Sequence, residues 1–566
     1  MHASQPLRVP VGPDADRWST FRAEKTLVVA ARTVTSTARV LECLPSLVRD
    51  DSRVSVVFAY DSTSAFSDGV LDLLHNAGCR VMPWDQLGNA APDLILSASE
   101  NIEVPEGDCP VLVLPHGVGF QKLVPDSRSS RVRLSGVVSD ALLESGRAWL
   151  AVSHPDQEEQ LLSTHPKTAG RTLLVGDPCF DELQSSQSHR DAYRRALGVA
   201  EGRRFVIISS TWGPSSLIGQ DPELPARLLA SLPYDEYQVG LIAHPNVWAG
   251  HGSWQIRNLQ ASALAAGLVL IPPVHSWRPA LVAADVVIGD HGSVTLYGAS
   301  LGTPVVLAAF GEDAVPGTAA RALAQVAPRL DPRTELHRQV ADAIGTCGRT
   351  PSASVAQRAF AEPGRAHARL RAALYRLMGL PEPASASPHA PVLQLPEPKP
   401  TTDRCTAWRV TTVISTDRGR PTITVIRLPA SLTGFGEEDV DAFVHLACDE
   451  EERDRRLTES ASVVLNHHQA TTRAGAHHWI AETLGRLPGC GLAAVDTDTH
   501  NTLVGLRDGR VVTATTTGPA LGPGLAAAVV YALLRTSQPL TGRCVTLRIG
   551  SDRSEAVRLT LDRAAL

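Results

Sequence analysis

Ala284-Asp285-Val286-Val287-Ile288-Gly289-Asp290-His291-Gly292-Ser293-Val294-Thr295 is an apolar run that ends in a polar turn and leads into the small-residue stretch Leu296–Gly302. A short run apolar on both faces, followed directly by a helix, is the strand–turn–helix unit of a parallel sheet covered on both sides. At the turn, Gly292 allows a ligand to approach the backbone. The uncapped N–H groups and positive end of the following helix suit an anion, and the Ser293 and Thr295 hydroxyls add donors. The pattern therefore predicts a phosphate site at Asp290, His291, Gly292, Ser293 and Thr295. An ordinary N-capped helix is the competing reading.

The same grammar extends in both directions. RFVIISST (204–211), YQVGLIAHP (237–245), GLVLIPP (267–273) and PVVLAAF (304–310) are further buried-strand candidates of one set. TLVVAA (26–31), VSVVFAY (54–60), DLILSAS (93–99) and PVLVLPHG (110–117) form an earlier set, with helical stretches at 37–50 and 68–78. Two α/β units in tandem predict two Rossmann-like domains facing each other, with ligands beyond the carboxyl ends of the strands. Pro381–Pro400 carries seven prolines in twenty residues, which predicts an extended linker. After it the pattern changes to hairpins at 408–428, 502–516 (turn at Asp508-Gly509) and 543–561, with helices at 437–457 and 524–536. The expected organisation is residues 1–185 and 186–380 as the two Rossmann-like domains, 381–402 as the linker, and 403–566 as a smaller α+β domain with a largely antiparallel sheet.

Composition bounds the function. The chain has 566 residues and a formal charge of −6, with 43% hydrophobic and 20% charged residues. No apolar run approaches the ~18 residues of a membrane span, and residues 1–18 lack the apolar centre of a secretory signal. A cytoplasmic protein is expected. Its acidity speaks against a nucleic-acid binder and allows at most peripheral membrane association. The nine cysteines form no CxxC pair and read as reduced thiols.

Polar residues at strand ends are the candidate site. Pro115-His116-Gly117 through Lys122 follows one strand, and an imidazole there suits proton transfer near neutral pH. Ser209, Thr211 and Trp212 end another strand. His244-Pro245 ends a third, and proline keeps His244 extended where the chain leaves the sheet. Gly176-Asp177-Pro178-Cys179 marks a tight turn. Glu312 and Asp313, after the strand 304–310, read equally as acceptors of ribose hydroxyls or as solvated loop acids. In the last segment, Asp496-Thr-Asp498-Thr-His500 reads as an Asx turn. The pairs His467-His468 and His477-His478 each offer at most one ligand, since adjacent residues diverge on a helix or strand, and no metal is expected.

The order PHG…K, GDPxxD, STW, HP and ADVVIGDHGSVTLYGASLGTPVV, over about residues 90–325, resembles the CDP-glycerol glycerophosphotransferase family of teichoic-acid type. The resemblance implies a GT-B fold and an inverting transferase of class 2.7.8 or 2.4, working in cell-envelope polymer or glycoconjugate synthesis. It would move a glycerophosphate or glycosyl group from a CDP- or UDP-linked donor to an acceptor hydroxyl. It implies His116 as the base in an acceptor loop with Gly117 and Lys122, and His244 near the donor phosphates. Asp290, Gly292 and Ser293 would lie against the pyrophosphate. The partners implied are a nucleotide-linked donor and a polymer or small-molecule acceptor, with no cofactor. The family's tryptophan before His-Gly is Pro115 here, two of its arginines are Cys179 and Gly213, and a serine is Gly292. Two alternatives stand beside this: a UDP-sugar 2-epimerase-like enzyme, and a non-catalytic nucleotide-binding or scaffold protein.

Overall fold

The computed structural model describes residues 19–125, 132–345, 352–384, 388–397, 399–417, 420–432, 442–470, 472–518, 520–550 and 553–562. The apolar runs of the first unit form β1 (Lys25–Ala31), β2 (Val54–Tyr60), β3 (Val81–Pro83), β4 (Leu94–Ser97) and β5 (Val111–Val113). After a small hairpin, β6 (Leu123–Pro125) and β7 (Val132–Leu134), come β8 (Ala148–Val152) and β9 (Thr172–Leu174). The parallel sheet runs in the order β3-β2-β1-β4-β5-β8-β9. Leu27, Val28, Val29, Ala30 and Ala31 are all fully buried, so this strand has a core on each face.

The second unit comprises β10 (Arg204–Ser210), β11 (Tyr237–Ala243), β12 (Val269–Ile271), β13 (Val286–Gly289) and β14 (Val305–Leu307). They pair in parallel in the order β12-β11-β10-β13-β14. Both sheets have the strand order of a Rossmann-like unit, and their tandem arrangement is GT-B-like. The helix Ala366–Met378 departs from simple segregation. Leu370, Leu374 and Tyr375 lie in the core of the first sheet, so the chain returns to its first unit before the proline-rich segment.

That segment is not a free tether. Its described residues lack regular structure but are laid onto the protein. The Leu393 N–H donates to Ser186 Oγ at 2.9 Å, and the Tyr193 hydroxyl donates to the Leu393 carbonyl at 2.7 Å. Thr401 then pairs with Leu270 at the edge of β12.

The final unit is a closed nine-stranded barrel. It contains β15 (Ala407–Asp417), β16 (Arg420–Pro429), β17 (Phe443–Asp449), β18 (Val463–Asn466), β19 (Leu492–Asp496), β20 (Asn501–Leu506), β21 (Val511–Thr516), β22 (Arg543–Ile549) and β23 (Arg553–Leu561). The apolar helix Pro523–Arg535 fills its core. The strands of the three expected hairpins pair, although the turn residues 418–419 and 551–552 lie outside the described residues. The helix expected over 437–457 does not. Phe443–Asp449 is a strand between β15 and β18, and only Arg455–Ser460 is helical; residues 437–441 lie outside the described residues. The charged run 449–456 dominates a local reading, whereas pairing on both sides decides the structure. The sheet is also more mixed than expected, because β17, β18 and β19 are parallel neighbours joined by helices, and β16 pairs in parallel with β22. Among the described residues, no helix is long and apolar enough to cross a membrane.

Candidate active site

A cleft of about 470 Å³ opens where residues at the carboxyl ends of both parallel sheets meet. His116, Gly117 and Lys122 line it from the first unit; Ser209, Thr211, Trp212, His244, His291, Gly292 and Ser293 line it from the second. His116 is exposed to the cleft. Beside it, the buried Glu100 forms an ion pair with Arg133 at 2.8 Å. Burial raises the Glu100 carboxyl, but the charges of His116 and Arg133 outweigh that and hold it below its ordinary value. Glu100 is therefore an anionic neighbour of His116.

His244 has the opposite environment. Its Nδ1 accepts a hydrogen bond from the Asn246 N–H at 3.1 Å and caps the helix Pro245–Leu259. That leaves Nε2 as the protonated nitrogen. Burial, reinforced by His116 and Lys122, pushes its pKa down to about 3. His244 is a neutral donor at physiological pH. Trp212 stands 6.5 Å from its ring, 5.6 Å from Phe66 and 5.4 Å from the Lys122 ammonium.

The turn 290–293 divides its labour. Asp290 is fully buried and does not line the cleft. Its carboxylate accepts from the N–H groups of Thr211 (2.8 Å), Leu217 (2.9 Å) and Gly292 (2.9 Å), holding two strand ends together. Thr295 is also fully buried, with its hydroxyl 3.4 Å from Ser209 Oγ. The His291 side chain points away from solvent. Nδ1 accepts from the Gly311 N–H at 3.1 Å, and Nε2 faces Asp313 at 3.1 Å. Gly292 and Ser293 do reach the cleft, and no side chain caps the helix Ser293–Ser300. Buried polar groups take protein partners first: Asp290 accepts backbone N–H groups, Thr295 meets the Ser209 hydroxyl, and His291, although it borders the cleft, turns its ring nitrogens to Gly311 and Asp313.

Glu312 and Asp313 also lie off the cleft wall. Glu312 is exposed to solvent, and Asp313 pairs with Lys122 at 3.1 Å. Burial raises the Asp313 carboxyl, but the His291 hydrogen bond and the Lys122 charge override it and hold it well below the carboxylate range. This pairing belongs to a clasp between the units. The Leu123 N–H donates to the Asp313 carbonyl at 2.8 Å, the Val315 N–H to the Gln121 carbonyl at 2.9 Å, and the Ala320 N–H to Gln121 Oε1 at 3.0 Å.

The cleft contains groups that motif reading did not single out. Arg32 follows β1 and pairs with Asp61 at 3.0 Å; applying the strand-end rule to β1 would have found it. Arg39, Glu42 and Tyr297 come from helices and Arg133 from β7, none with a local signature. Cys179, standing where the resembled family has arginine, is buried beside two guanidinium groups, and burial pushes its thiol far up despite them. Those groups are Arg39, bound to Asp177 at 2.8 Å, and Arg278, bound to Glu42 at 2.9 Å and to Glu182. Both guanidinium groups are thus already paired with carboxylates.

No family model matches the chain. Over 198 residues it is 32% identical to D-inositol 3-phosphate glycosyltransferase from Geodermatophilus obscurus, a match that takes in 33% of this chain and 43% of that protein. The chain therefore spans less than half the length of the curated relative it matches. Among solved structures it is similar to the wall teichoic acid polymerase TagF, at 13% identity over 63% of this chain and 90% of that one, with a TM-score of 0.44. It is also similar to UDP-GlcNAc 2-epimerase from Neisseria meningitidis bound to UDP-GlcNAc, at 14% identity over 62% and 100%, with a TM-score of 0.38. Neither structural likeness bears on what this chain binds.

Proposed function

We propose that the chain is a transferase that moves a glycerophosphate or glycosyl group from a CDP- or UDP-linked donor to an acceptor hydroxyl. The observation that carries this reading is the pairing of two histidines in one cleft, one exposed and one more shielded. His116 is exposed beside a carboxylate, and His244 is a neutral donor on the wall that also carries the uncapped helix start at Ser293.

In this scheme His116 removes the proton of the acceptor hydroxyl. The acceptor oxygen bonds to the activated carbon or phosphorus of the donor, and the bond to the nucleotide's terminal phosphate oxygen breaks. The departing nucleotide takes up that electron pair. His244 Nε2–H and the N–H groups at the start of the helix Ser293–Ser300 stabilise its charge, and Glu100 stabilises the imidazolium formed on His116. Base catalysis of this kind supplies ~10²–10⁴-fold, and fixed donors on the leaving group supply a comparable share.

A thermal-shift screen of CDP, UDP, CDP-glycerol and UDP-GlcNAc tests the reading. At least one nucleotide is expected to raise the unfolding temperature, and His244→Ala to reduce that shift. If none of the four stabilises the protein, the donor site is not where the cleft puts it.

A further inference from the structure

Within the barrel, β17, β18 and β19 run parallel and adjacent, joined by the helices Arg455–Ser460 and Arg473–Arg486. They form a βαβαβ unit inside an otherwise mostly antiparallel wall. In such units the crevice beyond the carboxyl ends of the strands is where ligands bind. Here those ends carry Asp449 on β17, Asn466-His467-His468 at the end of β18, and Asp496 on β19.

The vicinal histidines sit on neither helix nor strand. They occupy the loop after β18, where the His468 N–H donates to Asn466 Oδ1 at 2.8 Å. This turn brings both rings to one side, 3.8 Å apart, so the expectation that adjacent histidines diverge fails. His468 Nε2 lies 3.3 Å from Glu451, and His467 Nε2 lies 3.7 Å from the same carboxylate. One ligand atom from each of the three residues lies within 4.8 Å of the others. On its far side, His467 Nδ1 meets Asp449 at 3.0 Å, and Asp449 is itself buried and bonded to Arg404. A carboxylate behind one imidazole nitrogen fixes the tautomer and turns the other nitrogen's lone pair outward, as behind metal-bound histidines.

We propose that Glu451, His467 and His468 form a binding site for a divalent late first-row transition ion, zinc foremost. Two imidazoles and one carboxylate suit zinc, cobalt and nickel better than calcium or magnesium, whose ligands are oxygens. The open side of the site faces solvent, since His468 and Glu451 are exposed, and leaves coordination positions for water or a further ligand. The site is independent of the transferase reading, because none of its residues lines the cleft.

Cobalt(II) titration of the full-length, chelator-stripped protein reads the site directly through visible ligand-field absorption, with zinc competition giving the affinity. One equivalent is expected to saturate the signal. His468→Ala, a substitution at an exposed position, should weaken binding by at least ~10-fold, and Asp449→Asn by about 10–100-fold through the imidazole behind which it stands. His478→Ala, in the other vicinal pair, should bind as the parent does. Circular dichroism checks that each variant is folded. Absence of a saturable cobalt signal, or parental affinity in both His468→Ala and Glu451→Gln, would overturn the proposal.

Discussion

The Ser293 hydroxyl oxygen accepts a hydrogen bond from the Val118 backbone N–H at 3.1 Å, tying the first turn of a helix in the second unit to the loop that carries His116. The approach is close. A Cβ on Gly117 would lie 2.6 Å from Ser293 Oγ and 3.0 Å from its Cβ. Gly117→Ala is therefore expected to cost about 1–3 kcal/mol of stability through overpacking. The cost should shrink by at least about 0.5 kcal/mol when Ser293→Gly is already present, because the clash is gone. Urea denaturation of the double-mutant cycle measures this; strictly additive costs would show that the two units do not meet there.

His445 carries a pH dependence. It is buried on β17 against Tyr531, with ring centroids 4.1 Å apart and neither nitrogen hydrogen-bonded. Burial pushes its pKa down to about 4. The unfolded chain, with a pKa near 6.5, binds the proton more readily, so the stability His445 allows is complete above about pH 6.5. That stability is lost as pH falls toward 4. Between pH 7.5 and pH 5 the loss should be about 2 kcal/mol for this residue. Comparing His445→Leu with the parent at both pH values isolates the effect. The variant should gain relative to the parent on acidification, and parallel pH profiles would exclude the mechanism.

The barrel is fastened to the second unit by Arg427. Its guanidinium makes two hydrogen bonds to Asp235, at 2.8 and 2.6 Å, and lies 5.5 Å from the Tyr234 ring and 5.2 Å from the Trp408 ring. Burial raises the Asp235 carboxyl, but Arg427 outweighs it and the net shift is downward. Arg427→Ala leaves a shielded carboxylate without its partner and is expected to destabilise by about 3–5 kcal/mol. Limited proteolysis should then cleave first near residues 381–402, which the parent ties down at Leu393 and Thr401. Unchanged cleavage kinetics would show that the tether, not this pair, positions the barrel.

Both Rossmann-like units were legible because buried parallel strands are apolar on both faces and alternate with helices, a local signal. The strand-end rule likewise picked out His116, His244, Ser209, Thr211, Gly292 and Ser293, all of which line the cleft. It could not say which strand-end groups turn inward. Asp290, Thr295 and His291 look alike in sequence to a ligand shell, but their side chains are taken up by Thr211, Ser209 and Gly311 at the ends of neighbouring strands. Nor is barrel closure local. The strand Phe443–Asp449 is decided by neighbours on both sides, and β16 meets β22 only after most of the unit has been traversed. The convergence of His467 and His468 goes with side-chain contacts to Asn466, Asp449 and Glu451 that no periodicity reveals.

Whether His116 is the base of a group transfer from a nucleotide-linked donor is decided by single-turnover transfer from CDP-glycerol or a UDP-sugar to an acceptor hydroxyl, comparing the parent with His116→Ala. The expected result is a loss of about 10²–10⁴-fold in the chemical step with donor affinity preserved. Transfer at the parent rate by His116→Ala would contradict the claim.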